Sequence, residues 1–241
     1  MSESKVYPVK AHIGSDALLD KEGYEAMYQA SVQDPDAFWG EQGKILDWMT
    51  PYTRVKNTDF TFGKVSIKWF EDGVLNAAYN CIDRHLDKRG DQVAIIWEGD
   101  DPSDSKKITY RELHARVCKL ANALRKLGVK KGDRVSLFMQ NCPQYVAALY
   151  GILRADAVVV PVNPMLLGDE LEHVCTDSGA RVAMLAQELV AHTTTCGLTH
   201  LIVATYSDYV GSPPDPCAPP QALAPRGWAT PDYPAGKVPV V

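Results

Sequence analysis

The chain has 241 residues, 46% of them hydrophobic and 23% charged, with a formal net charge of −5 at pH 7. This balance belongs to a globular protein of one large or two small domains and excludes wholesale disorder. No block of like charge is long enough for a nucleic-acid arm, so nucleic acid is not an expected partner. No stretch reaches the ~18 consecutive apolar residues of a membrane span; the most apolar run, Ala155 to Val162, is interrupted by Asp156.

Met1 to Gly14 holds no apolar core of the kind a signal peptide needs. Asp34-Pro35 reads as a helix start with proline at the first helical position, and Phe38, Ile45 and Trp48 recur behind it at helical spacing. Leu75, Tyr79, Ile82 and Leu86 form a second helical stripe. Val93 to Trp97 is rich in β-branched residues and reads as a buried strand, followed by a polar turn over Gly99 to Ser105.

From residue 107 the pattern sharpens. Thr109 and Glu112 have the spacing of a capping box, in which each side chain satisfies a backbone N–H left over at the helix start. Leu113, Val117, Leu120, Ala121, Leu124 and Leu127 then share one helix face, and Gly128 stands where a terminator belongs. Val135 to Met139 reads as a strand, and Asn141 with Pro143 opens a helix through Leu153. Ala157 to Val162 is a continuous apolar run, expected to be a strand covered on both faces. Asp169 to Thr176 reads as a helix, Arg181 to Ala186 as a strand, Gln187 to Ala191 as a helical turn and His200 to Thr205 as a strand.

Alternating strands and helices predict an α/β fold with a mostly parallel sheet flanked by helices. The expected organisation is a loop-rich region over 1–106, an α/β unit over 107–206 and a proline-rich linker or tail over 207–241. Eight of the sixteen prolines fall between Gly211 and Pro234, which forbids regular pairing there.

Chemistry-bearing motifs are scarce. The chain has neither GxxxxGK[ST] nor GxGxxG, and Lys131-Gly132-Asp133 has an ordinary turn explanation. His173 and Cys175 would point away from each other on a helix. Cys118 and Cys175 read as small hydrophobes, His192-Thr193-Thr194-Thr195 as a surface loop, and Trp97 to Asp101 as a strand ending in a solvated acidic turn. The six cysteines show no CxxC pair and suit a reducing, cytoplasmic setting. No residue is assigned a catalytic or metal-binding role. The site expectation is Asn163-Pro164, placed behind a strand at its carboxyl end, where open α/β sheets hold ligands; the plain alternative is a proline-stiffened strand exit.

Several stretches resemble a known family. Tyr24-Glu-Ala-Met-Tyr28, Phe38-Trp-Gly-Glu-Gln-Gly-Lys-Ile-Leu-Asp-Trp48, Val65-Ser-Ile-Lys-Trp69 and Ala94-Ile-Ile-Trp-Glu-Gly-Asp-Asp101 resemble the N-terminal region of acetyl-CoA synthetases. Ile108-Thr-Tyr-Arg-Glu-Leu113 and Leu127-Gly-Val-Lys-Lys-Gly-Asp133 are similar to the opening of the AMP-binding domain across the adenylate-forming superfamily. From residue 134 to 210, Met139-Gln-Asn-Cys-Pro-Gln144, Ile152-Leu-Arg-Ala-Asp-Ala157 and Val158-Val-Val-Pro-Val-Asn-Pro-Met165 resemble medium- and long-chain fatty-acyl-CoA synthetases, with a junction near Gly132 to Val135.

The resemblance implies the N-terminal part of an ATP-dependent acyl-CoA synthetase, which joins a carboxylate (acetate or a fatty acid) to CoA through an acyl-adenylate. It implies ATP, Mg and CoA for the complete enzyme, none of them bound tightly by this chain, and puts Asn163-Pro164 towards the CoA side. The family's phosphate loop and C-terminal catalytic lysine are not among these residues, so the chain is expected to be inactive alone. The other reading is a noncatalytic binding or complementing module derived from the same family.

Overall fold

The computed structural model describes residues 7–99, 103 and 105–205. The proline-rich stretch expected over 207–241 lies outside them, as does part of the Gly99–Ser105 turn. The backbone divides into two compact units, Met1–Leu75 and Asn76–Val241.

In the first unit a short helix α1 (Ala11–Gly14) precedes α2 (Lys21–Gln33) and α3 (Pro35–Gly43). Asp20 Oδ1 accepts from Gly23 N at 2.8 Å, and Asp34 Oδ1 accepts from Ala37 N at 3.0 Å, so each carboxylate caps the helix it precedes. The expected proline start is present, but α3 ends at Gly43 and leaves Ile45 and Trp48 outside it. Aromatic packing overrides the helical spacing there. Trp48 Nε1 donates to Gly43 O at 2.8 Å, and the Trp48 ring lies 5.0 Å from Tyr52 and 5.6 Å from Phe70. A Cβ on Gly43 would stand 2.6 Å from the Tyr52 hydroxyl oxygen, so this turn needs glycine for close approach. Strands β1 (Lys56–Asp59) and β2 (Ser66–Trp69) form an antiparallel hairpin with Lys56 opposite Trp69.

The second unit opens with a broken helical segment: α4 (Ala77–Cys81), a 3₁₀ turn over Asp83–His85 and α5 (Leu86–Arg89). The apolar stripe from Leu75 to Leu86 therefore does not lie on one continuous helix. Strand β3 (Val93–Glu98) pairs antiparallel with β4 (Ser105–Thr109). β3 is exposed or half-buried along its length, with Ile96 67% exposed, which corrects the expectation of a buried strand.

Helix α6 (Tyr110–Lys126) carries the expected box: Thr109 Oγ1 accepts from Glu112 N at 3.2 Å, and Glu112 Oε2 accepts from Thr109 N at 2.8 Å. Leu113, Val117, Ala121 and Leu124 are its buried face, and Gly128 follows with φ +87°.

Strands β5 (Arg134–Phe138), β6 (Val158–Pro161), β7 (Val182–Ala186) and β8 (His200–Ala204) form one wholly parallel sheet in the order β6-β5-β7-β8. Helix α7 (Pro143–Arg154) connects β5 to β6, and α8 (Asp169–Ser178) connects β6 to β7. The parallel pairing of β5 with β6 agrees with the sequence pattern, but β6 is the sheet edge, and Val158 is 47% exposed. Its apolar run was expected to be covered on both faces. β5 and β7 instead take that position, buried from Val135 to Phe138 and from Val182 to Ala186. Leu137, Ala148, Ile152, Leu171, Leu185 and Leu201 are among the side chains that fill the core around them.

Candidate functional site

In a parallel sheet every strand delivers its carboxyl end to the same side, so the loops there converge. Here β5 is followed by Met139–Cys142 and β6 by Val162–Pro164. Between them opens a cleft of about 490 Å³, lined by Met139, Gln140, Asn141, Tyr145, Pro161, Val162, Asn163 and Pro164. Both residues expected from the sequence thus line one cleft. The sheet order reverses between β5 and β7, so the cleft lies one strand aside from the topological switch point.

Asn163 is held as a turn. Its Oδ1 accepts from Met165 N at 3.0 Å and its carbonyl accepts from Leu166 N at 3.0 Å, while Val162 N donates to Leu137 O at 2.9 Å and ties the strand exit to β5. The side-chain carbonyl is thereby engaged and the amide nitrogen is left for other partners. The cleft's polar groups are amides and one phenol, with no lysine or arginine among its lining residues. Such a wall can hydrogen-bond a neutral polar ligand but cannot neutralise a polyphosphate.

Beside the switch point lies a second group that sequence reading passed over. The cap of α7 is Cys142 rather than the expected Asn141. Its position at a helix N-terminus would ordinarily favour a thiolate. Burial nevertheless pushes the Cys142 thiol up; the Tyr145 and Gln144 N–H groups oppose that rise and the Glu188 carboxylate adds to it. The thiol therefore holds its proton more firmly than an exposed cysteine does. Gln144 Nε2 donates to Thr205 O at 2.9 Å across the sheet ends, and its Oε1 is buried with no hydrogen-bond partner among the described residues. The only sequence signal for these groups was their place just after strand ends.

Burial also raises the Glu188 carboxyl above its ordinary value, against a smaller opposing backbone hydrogen bond. A carboxyl raised in the folded state holds its proton more tightly there than in the unfolded chain, so stability falls as pH climbs through and above the ordinary value of 4.5. Glu188→Gln is therefore expected to raise the melting temperature at pH 7.5, and the gain should vanish below that ordinary value. Thermal melts of both proteins across pH check this; an unchanged gain in acid would show that the effect is not titration.

The remaining sequence candidates are plain. Cys175 is 3% exposed, and burial together with a Cys196 hydrogen bond pushes its thiol up to about 12. Thr193, expected on a surface loop, is instead 2% exposed, and its Oγ1 donates to Val190 O at 2.9 Å. The five cysteines at 81, 118, 142, 175 and 196 are free. Among the described residues no three His, Cys, Asp or Glu side chains converge on a cation position, and no helix is long and apolar enough to cross a membrane.

Comparison with known proteins gives matches along most of the chain. The family profile described as AMP-binding enzyme matches residues 82–231, and that described as acetyl-coenzyme A synthetase N-terminus matches residues 24–81. The acetyl-coenzyme A synthetase of Aeromonas hydrophila is 60% identical over 188 residues, covering 78% of this chain and 29% of that protein. That of Cronobacter sakazakii is 52% identical over the same length, again 78% and 29% of the two chains. The chain thus spans 29% of the length of these relatives. A match of 188 residues is longer than the stretch before Gly132–Val135, so the likeness to acetyl-CoA synthetases continues past that junction. A solved anthranilate CoA ligase in complex with anthranoyl-AMP is 26% identical, with a TM-score of 0.48, over 55% of this chain and 26% of that one. The two family profiles and the level of identity agree: the chain belongs to the AMP-binding enzyme family, and its matched residues correspond to an N-terminal portion of acetyl-coenzyme A synthetases.

Proposed function

We propose that the chain supplies the opening part of the acyl-activating domain of an ATP-dependent acetate–CoA ligase and is inert by itself. The observation that carries this reading is the 60% identity to an acetyl-coenzyme A synthetase over 188 residues. Acetate is preferred to a fatty acid because that match runs beyond the junction where the local likeness to fatty-acyl enzymes begins. In the complete ligase the carboxylate attacks the α-phosphorus of ATP, pyrophosphate leaves, and the CoA thiol then displaces AMP from the acyl-adenylate. The role of the present residues in that sequence is to bind and position.

Asn163 and Pro164 are assigned to the CoA side. The cleft they line is walled by neutral amides, which suits the uncharged, amide-bearing arm of CoA better than a triphosphate. No step is assigned to magnesium, since the described acidic side chains do not converge. A cytoplasmic setting is in keeping with the five free cysteines.

Activation of ATP needs a cradle of convergent N–H groups with a cation or a metal at the phosphates, and the sequence has neither the GxxxxGK[ST] nor the GxGxxG loop that would supply one. Scattered surface lysines are screened over a Debye length of about 8 Å at physiological salt. The isolated chain is accordingly expected to give no pyrophosphate from ATP with acetate or octanoate and at best weak heats on titration with Mg-ATP. Micromolar binding, or turnover above a no-protein control, would overturn the assignment of the phosphate site to another part of the enzyme.

A complementing module is the second reading, favoured by the surface of the first unit. Helix α2 buries none of its residues, and Tyr24, Tyr28 and Val32 recur on one face, all exposed. Association with a separately produced remainder of a relative would support it over a merely inert piece.

A further inference from the structure

At the opposite end of the parallel sheet, a separate cleft of about 260 Å³ opens at the amino-terminal ends of the strands. Val135 of β5 is level with Val182 of β7, and Val182 with His200 of β8. Arg134, Arg181 and Thr199 therefore stand one step earlier as a row across three adjacent strands, spaced by the ~4.8 Å between strands. All three line this cleft, together with His200.

The two guanidinium groups make no hydrogen bond or ion pair with the described residues. Like charges directly opposite on neighbouring strands repel. Asp133 also lines the cleft, but its Oδ2 is engaged by Lys130 N at 2.7 Å and its carboxylate forms no ion pair with either guanidinium among the described residues. Thr199 Oγ1 donates to Arg181 O at 3.0 Å and lies 3.1 Å from His200 Nδ1, which fixes the hydroxyl and orients the imidazole. Two free planar forks at adjacent positions match an oxyanion that accepts two hydrogen bonds from each. The volume is below the usual range of about 300–1,000 Å³ for drug-sized ligands. That favours a small ligand over a nucleotide.

We propose that Arg134 and Arg181, with His200 held beside them by Thr199, bind a small phosphate-type oxyanion, either free phosphate or the phosphate group of a small ester. This site is apart from the carboxyl-end cleft and independent of the ligase reading, so either can fail without the other. The competing role for the arginines is compensation of the C-terminal ends of α6 and α8, whose capping residues Leu127 and Gly179 stand in the wall of the same cleft.

The test uses the whole 241-residue chain, titrated with inorganic phosphate and, in a second arm, with glycerol phosphate, at constant ionic strength. Binding is followed by calorimetry and by phosphorus NMR. The wild-type chain is expected to bind at least one of the two, and tighter binding of one arm identifies the source. Arg134→Gln and Arg181→Gln should each weaken binding by about tenfold, the loss expected for a charged hydrogen-bonding partner. Lys64→Gln, an equal charge change in the first unit, should leave it unaltered. Circular dichroism establishes that each variant is folded, and Arg→Lys at either position, which keeps the charge but loses the fork, should give an intermediate loss. Absence of binding by the wild-type chain would overturn the proposal. So would arginine variants that lower the melting temperature equally with and without phosphate, because that is the signature of a helix-end role.

Discussion

Asp83→Ala is expected to destabilise the second unit by about 3–5 kcal/mol, the range for removing one partner of a buried ion pair. Asp83 lies on the 3₁₀ turn between α4 and α5. Its Oδ1 accepts from Arg154 Nη1 of α7 at 2.5 Å and lies 3.3 Å from His114 Nε2 of α6. One carboxylate thus ties three segments that are distant in sequence. With side chains 14% and 30% exposed, Asp83 and Arg154 are shielded well beyond an ordinary surface pair. Removing the carboxylate leaves a guanidinium partly out of water with nothing to answer it. Asp83 Oδ2 is itself buried without a hydrogen-bond partner among the described residues, which offsets some of the gain in the native state. The double variant with Arg154→Ala should therefore lose less than the sum of the two single losses. Urea unfolding followed by circular dichroism measures all three. A loss below about 1 kcal/mol for Asp83→Ala, the level of an exposed pair, would show that the carboxylate does not hold these elements together.

Phe138→Ala should cost a similar amount, about 3–5 kcal/mol, for a different physical reason. Phe138 ends β5, is 1% exposed and lies level with Leu185 of β7. Truncation removes an aromatic ring from the middle of the main core and leaves a cavity that the two flanking strands, fixed by their ladder, cannot close. Phe138→Leu keeps most of the volume and should lose much less. Because Phe138 directly precedes Met139, which lines the carboxyl-end cleft, its packing also sets where that cleft's wall stands. Equal losses for the alanine and leucine variants would show that cavity formation does not govern this position.

Helix α6 and the parallel sheet were legible because each is specified by local chemistry: a capping box with an unbroken apolar face, and β-branched runs at βαβ spacing. What local chemistry does not encode is which strand becomes the edge. The run at Val158–Val160 looks more buried than Arg134–Phe138, yet β6 is the edge and β5 the centre, since the order depends on where α8 returns the chain. Strand β4 was missed because Ser105-Lys-Lys-Ile-Thr109 carries one buried apolar residue, Ile108, and owes its existence to pairing with β3. The end of α3 was misjudged because the Trp48, Tyr52 and Phe70 cluster outweighs helical periodicity. Gly151 had no sequence signal; a Cβ there would meet Leu120 Cδ2 at 2.7 Å, so it sets the close approach of α6 and α7.

The site was legible to the same extent. That Asn163 and Pro164 follow a strand at its carboxyl end could be read from the β-branched run before them, and both line the cleft there. Glu188 and Gln144 could not, since their burial follows from how the loops after β5, β7 and β8 fold over one another. Arg134 and Arg181 are distant in sequence, and only the register of β5 against β7 places them side by side.

The most direct test of the proposed role is a chimera. The matching segment of the Aeromonas hydrophila acetyl-coenzyme A synthetase is replaced by the corresponding residues of this chain, and acetate-dependent pyrophosphate release from ATP is measured with and without CoA. The account predicts that the folded chimera turns over acetate, that CoA accelerates it, and that octanoate is a poor substitute. A chimera that folds with the parent's stability yet releases no pyrophosphate with acetate, beside an active parent enzyme, would contradict the claim that this chain carries the opening part of an acetate-activating domain.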